Sequence, residues 1–124
     1  MDIHVQKLSS SIQLIRLAGE MDMYNYHELK ERFLSLIEEH VRGYILDLDK
    51  LEYIDSSGVS TLIFLYTTVK KKNLKLWIVN VKGSVLKVLE LTKLTEFLPI
   101  AGSLDHLLSQ FKKKAKSKAP GHGK

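Results

Sequence analysis

The chain has 124 residues, 44% of them hydrophobic and 27% charged, so it can bury one compact core and has little length for a second. It contains no cysteine, which excludes disulfides, thiolate nucleophiles and thiolate zinc sites and makes the cytoplasm the expected location. The formal net charge of +5 lies in the tail, where Lys112, Lys113, Lys114, Lys116, Lys118 and Lys124 stand without an acidic residue; the body keeps 13 basic residues against 14 acidic ones, which argues against a fold built to bind nucleic acid.

In chain order, residues 3–8 alternate apolar and polar, as a half-buried strand does. Ser9, Ser10 and Ser11 make a turn, and Ile12, Leu14, Ile15 and Leu17 mark a second strand with one break in its alternation. The pair predicts a hairpin. Tyr26, Leu29, Phe33, Leu36, Ile37 and His40 then recur at helical spacing, with Asn25 and Glu28 placed as a capping pair and Gly43 as a stop. Residues 44–48 form a short apolar run suited to a central strand.

Val59, Leu62, Ile63, Tyr66 and Val69 mark a second amphipathic helix, closed by three lysines and Asn73. Residues 74–81 are rich in β-forming side chains. Ser84 is placed to cap a third helix, residues 97–100 to form a short edge strand that tolerates Pro99, and Ser103 to cap a last helix ending at Phe111. The order β-β-α-β-α-β-α-β-α predicts an α/β domain over residues 1–111, with a mixed sheet of four to five strands and four helices packed against it. Residues 112–124 lack apolar periodicity and are expected to be a disordered basic tail, a solubilising end. No leader pattern opens the chain, and no apolar stretch is long enough to span a bilayer.

The chemically informative stretch is Asp55-Ser56-Ser57-Gly58, where a strand leads through a short loop into the second helix. A helix start presents unpaired N–H groups and a partial positive charge, so a phosphate there can be held by backbone donors. Gly58 leaves room for a partner's backbone. On local physics alone, the plain alternative is that Asp55 or a serine simply caps the helix.

Four features together resemble the STAS domain, in its anti-sigma factor antagonist branch. They are Gly19-Glu20-Met21-Asp22 after the second strand, the run from Tyr53 to Val59 through Asp-Ser-Ser-Gly, the strand over 74–81, and Leu91-Thr92-Lys93-Leu94 with Phe97 and Ile100 behind it. The similarity spans about residues 3 to 111 in one order and spacing. The resemblance implies a binding protein rather than an enzyme. Its partner would be an anti-sigma factor that is also a serine kinase, and binding would release a sigma factor. Phosphorylation of Ser56, with Ser57 as the second candidate, would end the binding, and a metal-dependent serine phosphatase would restore it. Asp22, Asp55, Ser56, Ser57 and Gly58 are the expected partner-binding residues. Asp55 would position Ser56 and repel misplaced phosphate. Asp22 would lie on the same rim, or else be a turn aspartate. A monomer or weak dimer is expected, with no cofactor. Lys93 stands where the family often has glycine, which puts the shape of that turn in question.

Other chemistry is weaker. Gly-x-Ser-x-Gly is absent, and His27 and His40 fall in a helical stretch, so a hydrolase is not expected. The five histidines show no ligand spacing, and Lys82-Gly83-Ser84 lacks the glycines of a phosphate loop. The alternatives from other classes are a nucleotide-binding STAS domain and a STAS subunit of a transport or stress-signalling complex.

Overall fold

The computed structural model describes residues 1–117, and the side chains of residues 1–114. Two antiparallel strands open it, β1 (Asp2–Lys7) and β2 (Ile12–Met21). Ser9 Oγ accepts from the N–H groups of Ser11 and Ile12, both at 3.2 Å, which closes the turn between them. Helix α1 (Tyr26–Leu36) leads to β3 (Gly43–Ile54), α2 (Ser56–Lys71) to β4 (Lys75–Val79), and α3 (Gly83–Leu91) precedes α4 (Leu104–Ser117). The sheet is mixed, in the order β1-β2-β3-β4, with β2, β3 and β4 parallel.

The apolar run at the start of β3 has a direct cause. Its side chains alternate between two cores. Leu46 joins Ile15 and Ile78 in the larger one, under Leu29 and Phe33 of α1, Leu62 and Leu65 of α2, and Val85 and Leu89 of α3. Ile45 joins Leu14 and Val79 on the opposite face, under Leu107 of α4. A strand covered on both faces favours apolar side chains throughout, and its one charged residue in this run, Asp47, is buried with partners of its own. Gly43 opens β3 rather than ending a helix: a Cβ there would lie 2.6 Å from Trp77 Cζ3, so its missing side chain is what lets the indole lie across the strand.

Several expected boundaries move. Helix α1 ends at Leu36, and Ile37 is already extended, leaving His40 exposed outside the helix. Glu38 and Glu39 would set negative charge at the helix C-terminus, against the dipole, while buried Val41 draws the chain back toward the sheet. The expected edge strand at 97–100 is reduced to a bridge between Ile100 and Ile78. Pro99 accepts from Ile78 N–H (2.9 Å) but has no N–H of its own, so the ladder cannot extend back through it. Ser84 does not cap α3. Lys82 holds that position, and Ser84 Oγ donates instead to the Glu52 carbonyl at 2.6 Å. Ser103 does cap α4, accepting from His106 N–H at 3.1 Å.

Helix α4 continues to Ser117, six residues past the end read from the apolar pattern. Lysine and alanine are good helix formers, so propensity carries the helix on after its apolar stripe stops. The expected disorder is therefore corrected for 112–117; residues 118–124 lie outside the described residues. Asn73 and Lys93 both adopt left-handed backbone, with φ of 58° and 60°. The turn at Lys93 thus keeps the shape that glycine would favour, closed by Leu94 N–H donating to the Leu89 carbonyl at 2.8 Å.

Candidate functional site

The site is built where β2 and β3 end side by side. Strand β3 runs through Leu51, Glu52, Tyr53 and Ile54 as regular strand, so no loop precedes the helix. Likewise Gly19, Glu20 and Met21 belong to β2, although they were expected to follow it. Irregularities in the β2–β3 register at Arg16/Ala18 and Gly19/Glu20 bring Met21 level with Ile54. The two chains therefore leave the sheet together, one into the segment 22–25 and the other into α2.

Asp55 is the N-cap of α2, and Ser56 is the first helical residue. Asp55 Oδ1 accepts from Ser57 N–H (2.9 Å) and Gly58 N–H (3.1 Å), and its Oδ2 accepts from Met23 N–H (2.9 Å). Both oxygens are in use, as a cap on one side and as a tie to the neighbouring segment on the other. Asp55 is the helix cap that local physics offered as the plain alternative, and it is also a clamp on Met23. One expectation is corrected: the Ser57 and Gly58 N–H groups already have a carboxylate acceptor, so they are not open donors for a phosphate.

Asp22 is a turn aspartate. Its Oδ1 accepts from Tyr24 N–H (3.0 Å), and its own N–H donates to Asn25 Oδ1 (2.9 Å). Asn25 in turn donates through Nδ2 to the Glu20 carbonyl (2.9 Å). It braces the turn and makes no side-chain cap on α1, contrary to expectation. Asp22 still lies on the expected rim, because its neighbour Met23 is the residue bonded to Asp55.

Gly58 is buried, and a Cβ there would meet Ile54 Cγ1 at 2.5 Å and the Met21 carbonyl at 3.0 Å. The missing side chain admits the chain's own core, not a partner. Ser56 is exposed and Ser57 half-buried. Consecutive helical residues point about 100° apart, and here the two hydroxyls diverge. Ser57 lines a groove between α1 and α2, whereas Ser56 is exposed and follows Asp55, the residue bonded to Met23.

Sequence reasoning missed the apolar rim of this surface. Met23 is 61% exposed, Tyr24 79% and Tyr53 46%. Tyr53 pairs with Glu20 across the sheet, one residue before the Met21–Ile54 pair. The available signal was an apolar pair, Met23-Tyr24, next to a turn and outside any helical or strand period.

Behind the site, Asp47 is buried and held by Arg16 Nε (3.5 Å) and Asn80 Nδ2 (2.9 Å). Lys82 Nζ lies 2.9 Å from Asp49, and that hydrogen bond, then its charge, holds the Asp49 carboxyl below the usual carboxylate range. Among the described residues no histidine hydrogen-bonds Ser56, no cluster of His, Asp and Glu is arranged to hold a metal ion, and no helix is long and apolar enough to cross a membrane.

Residues 5–107 match the STAS domain family. The anti-sigma-B factor antagonist of Bacillus subtilis (strain 168) is 26% identical over 100 residues, which cover 81% of this chain and 90% of that protein. Two solved structures share the fold. The anti-sigma factor antagonist SpoIIAA in its unphosphorylated form aligns with a TM-score of 0.74 at 17% identity, covering 90% of this chain and 97% of the other. An anti-sigma factor antagonist from Mycobacterium paratuberculosis aligns with a TM-score of 0.77 at 20% identity, covering 88% and 92%.

Proposed function

The chain belongs to the STAS domain family, and from that premise we propose that it is an anti-sigma factor antagonist switched by phosphorylation of Ser56. Unphosphorylated, it binds an anti-sigma factor that is also a serine kinase, and so releases a sigma factor. Phosphorylated, it lets go, and a metal-dependent serine phosphatase resets it. It acts by binding, without chemistry of its own.

The observation that carries this is the position of Ser56. Ser56 is exposed at the head of α2, directly after Asp55, whose carboxylate ties α2 to the segment that displays Met23 and Tyr24. A partner seated on Met23 and Tyr24 would also cover Ser56. Phosphate adds about −1.5 to −2 charge there. Because Asp55 occupies the Ser57 and Gly58 N–H groups, these are not free to donate to the phosphate oxygens, which are left to water. Closing a partner over it would then require stripping its water. A loss of ~3 kcal/mol in binding is roughly a hundredfold in affinity, enough for a switch.

The test is to incubate wild type, Ser56→Ala and Ser57→Ala with ATP and a candidate serine kinase, map phosphate by mass spectrometry, and measure kinase binding before and after. Phosphate on Ser56 with weakened binding supports the proposal. Binding that is unchanged when Ser56 is fully phosphorylated rejects it.

A further inference from the structure

The groove between α1 and α2 has a composition that the proposed switch does not use. It holds about 250 Å³ and is lined by Tyr26 and Lys30 of α1 and by Ser57, Ser60, Thr61 and Phe64 of α2. The spacing explains the set. Residues 57, 60, 61 and 64 form one helical face, and residues 26 and 30 are one turn apart on the facing helix.

Lys30 stands in this groove with its Nζ 4.2 Å from the centroid of the Phe64 ring. Among the described residues no carboxylate lies within 4 Å of that amine. The sequence shows why. The helical neighbours of Lys30 at three and four residues are Tyr26, His27, Phe33 and Leu34, and α2 contains no acidic residue at all. Lys30, half-buried, thus shares the groove with four hydroxyl-bearing residues, Tyr26, Ser57, Ser60 and Thr61, while its ammonium lies over an aromatic face. Thr61 Oγ1 donates to the Ser57 carbonyl (2.9 Å), so its hydroxyl is partly committed. Ser57 lines the same groove.

We propose that this groove is the receiving site for a phosphate carried by Ser57, a second modification site whose charge is neutralised within the molecule by Lys30. This does not depend on the role of Ser56. The modification would transfer a phosphoryl group from a nucleoside triphosphate. The bond from Ser57 Oγ to the γ-phosphorus forms, and the β–γ bridging bond breaks with its electron pair leaving on the diphosphate. The hydroxyl proton passes to a base of the kinase or to solvent. Phosphate on Ser56 and phosphate on Ser57 would then differ in kind, one displayed to solvent and the other sealed between two helices by an ion pair.

The two phosphoproteins can be made by placing phosphoserine at position 56 or 57 during synthesis, so no kinase is needed. Phosphorus NMR titration reads the second ionisation of each phosphate, ordinarily near pH 6. Asp55 adjoins Ser56 and accepts from the Ser57 N–H, whereas of the two serines only Ser57 shares a groove with Lys30. The phosphate at 57 should ionise lower than that at 56 by about half a unit or more, and Lys30→Met or Lys30→Gln should erase the difference. Equal ionisation at both positions overturns the proposal, as does a difference that survives both Lys30 substitutions. So does a phosphoserine-57 protein that no longer folds, since a built receiving site would not unfold the molecule.

Discussion

Asp55 and Met23, 32 residues apart in the chain, are joined by a 2.9 Å hydrogen bond from the Met23 N–H to the carboxylate oxygen left over after Asp55 has capped α2. One side chain therefore sets the start of a helix and the position of the apolar segment beside it. The two roles can be separated. Asp55→Ser leaves one oxygen that can cap α2 but none for Met23. Stability should fall by less than about 1 kcal/mol, whereas Asp55→Ala, which loses both, should cost about 1–2 kcal/mol. Amide exchange at Met23 should accelerate in both variants. Unchanged protection of the Met23 amide in Asp55→Ser would show that the tie contributes nothing in solution.

Gly58→Ala distinguishes a glycine kept for the protein's own core from one kept for a partner. In an unobstructed helix, alanine stabilises by about 0.8–1 kcal/mol relative to glycine. Here the new Cβ would press on Ile54 and the Met21 carbonyl, and overpacking of that kind typically costs about 1–3 kcal/mol. Urea unfolding should therefore give a lower midpoint for Gly58→Ala. A higher midpoint would return Gly58 to the exposed surface.

Lys93 holds φ at 60° with a full side chain, a conformation that costs roughly 1–2 kcal/mol in a residue with a Cβ. Glycine removes that cost but loses more entropy on folding, so Lys93→Gly should gain about 0.5–1 kcal/mol. An increase in thermal midpoint of a few degrees checks it. No gain would mean that the Lys93 side chain makes a compensating contact.

Trp77 is the single tryptophan, and its ring centroid lies 5.0 Å from that of Phe111 in an edge-to-face contact. Its fluorescence should report whether α4 is seated on the sheet. Phe111→Ala should shift the emission to the red and cost about 1–3 kcal/mol, from the aromatic pair and the apolar area lost. An unshifted spectrum would place α4 elsewhere in solution.

The Tyr44 hydroxyl is buried and donates to the Leu36 carbonyl at 3.1 Å, and burial pushes its pKa up from 10.0. The unfolded chain then ionises before the folded one. The contribution is intact below pH 10.0 and is lost as the pH climbs toward the folded value. Tyr44→Phe should cost about 1 kcal/mol at pH 8 through the lost hydrogen bond and should flatten the decline that begins above pH 10.0. Equal alkaline slopes for the two proteins would contradict the assignment.

The local pattern is legible in the order of the residues. The spacing of Val59, Leu62, Tyr66 and Val69 marks α2, and the apolar run at 44–48, broken only by Asp47, marks a strand covered on both faces. Asn73 ends α2 because an asparagine tolerates the left-handed turn there. Ser103 caps α4 for an equally local reason, its hydroxyl being only three residues from the N–H it accepts from. Where local pattern and propensity part company, as after Phe111, the apolar stripe underestimates the helix.

What the sequence determined by itself was thus whatever depends on neighbours within a turn or two: the helices and strands, the caps at Asp55 and Ser103, and the order that makes this an α/β chain of the STAS family. Which way each site residue faces was decided only by tertiary structure. That Gly58 admits Ile54, that Asp55 reaches Met23, and that Ser56 is displayed while Ser57 shares a groove with Lys30 all follow from the β2–β3 register and from α2 lying against α1. Groups 32 residues apart come within hydrogen-bonding distance only once two strands end level, and no local period carries that information.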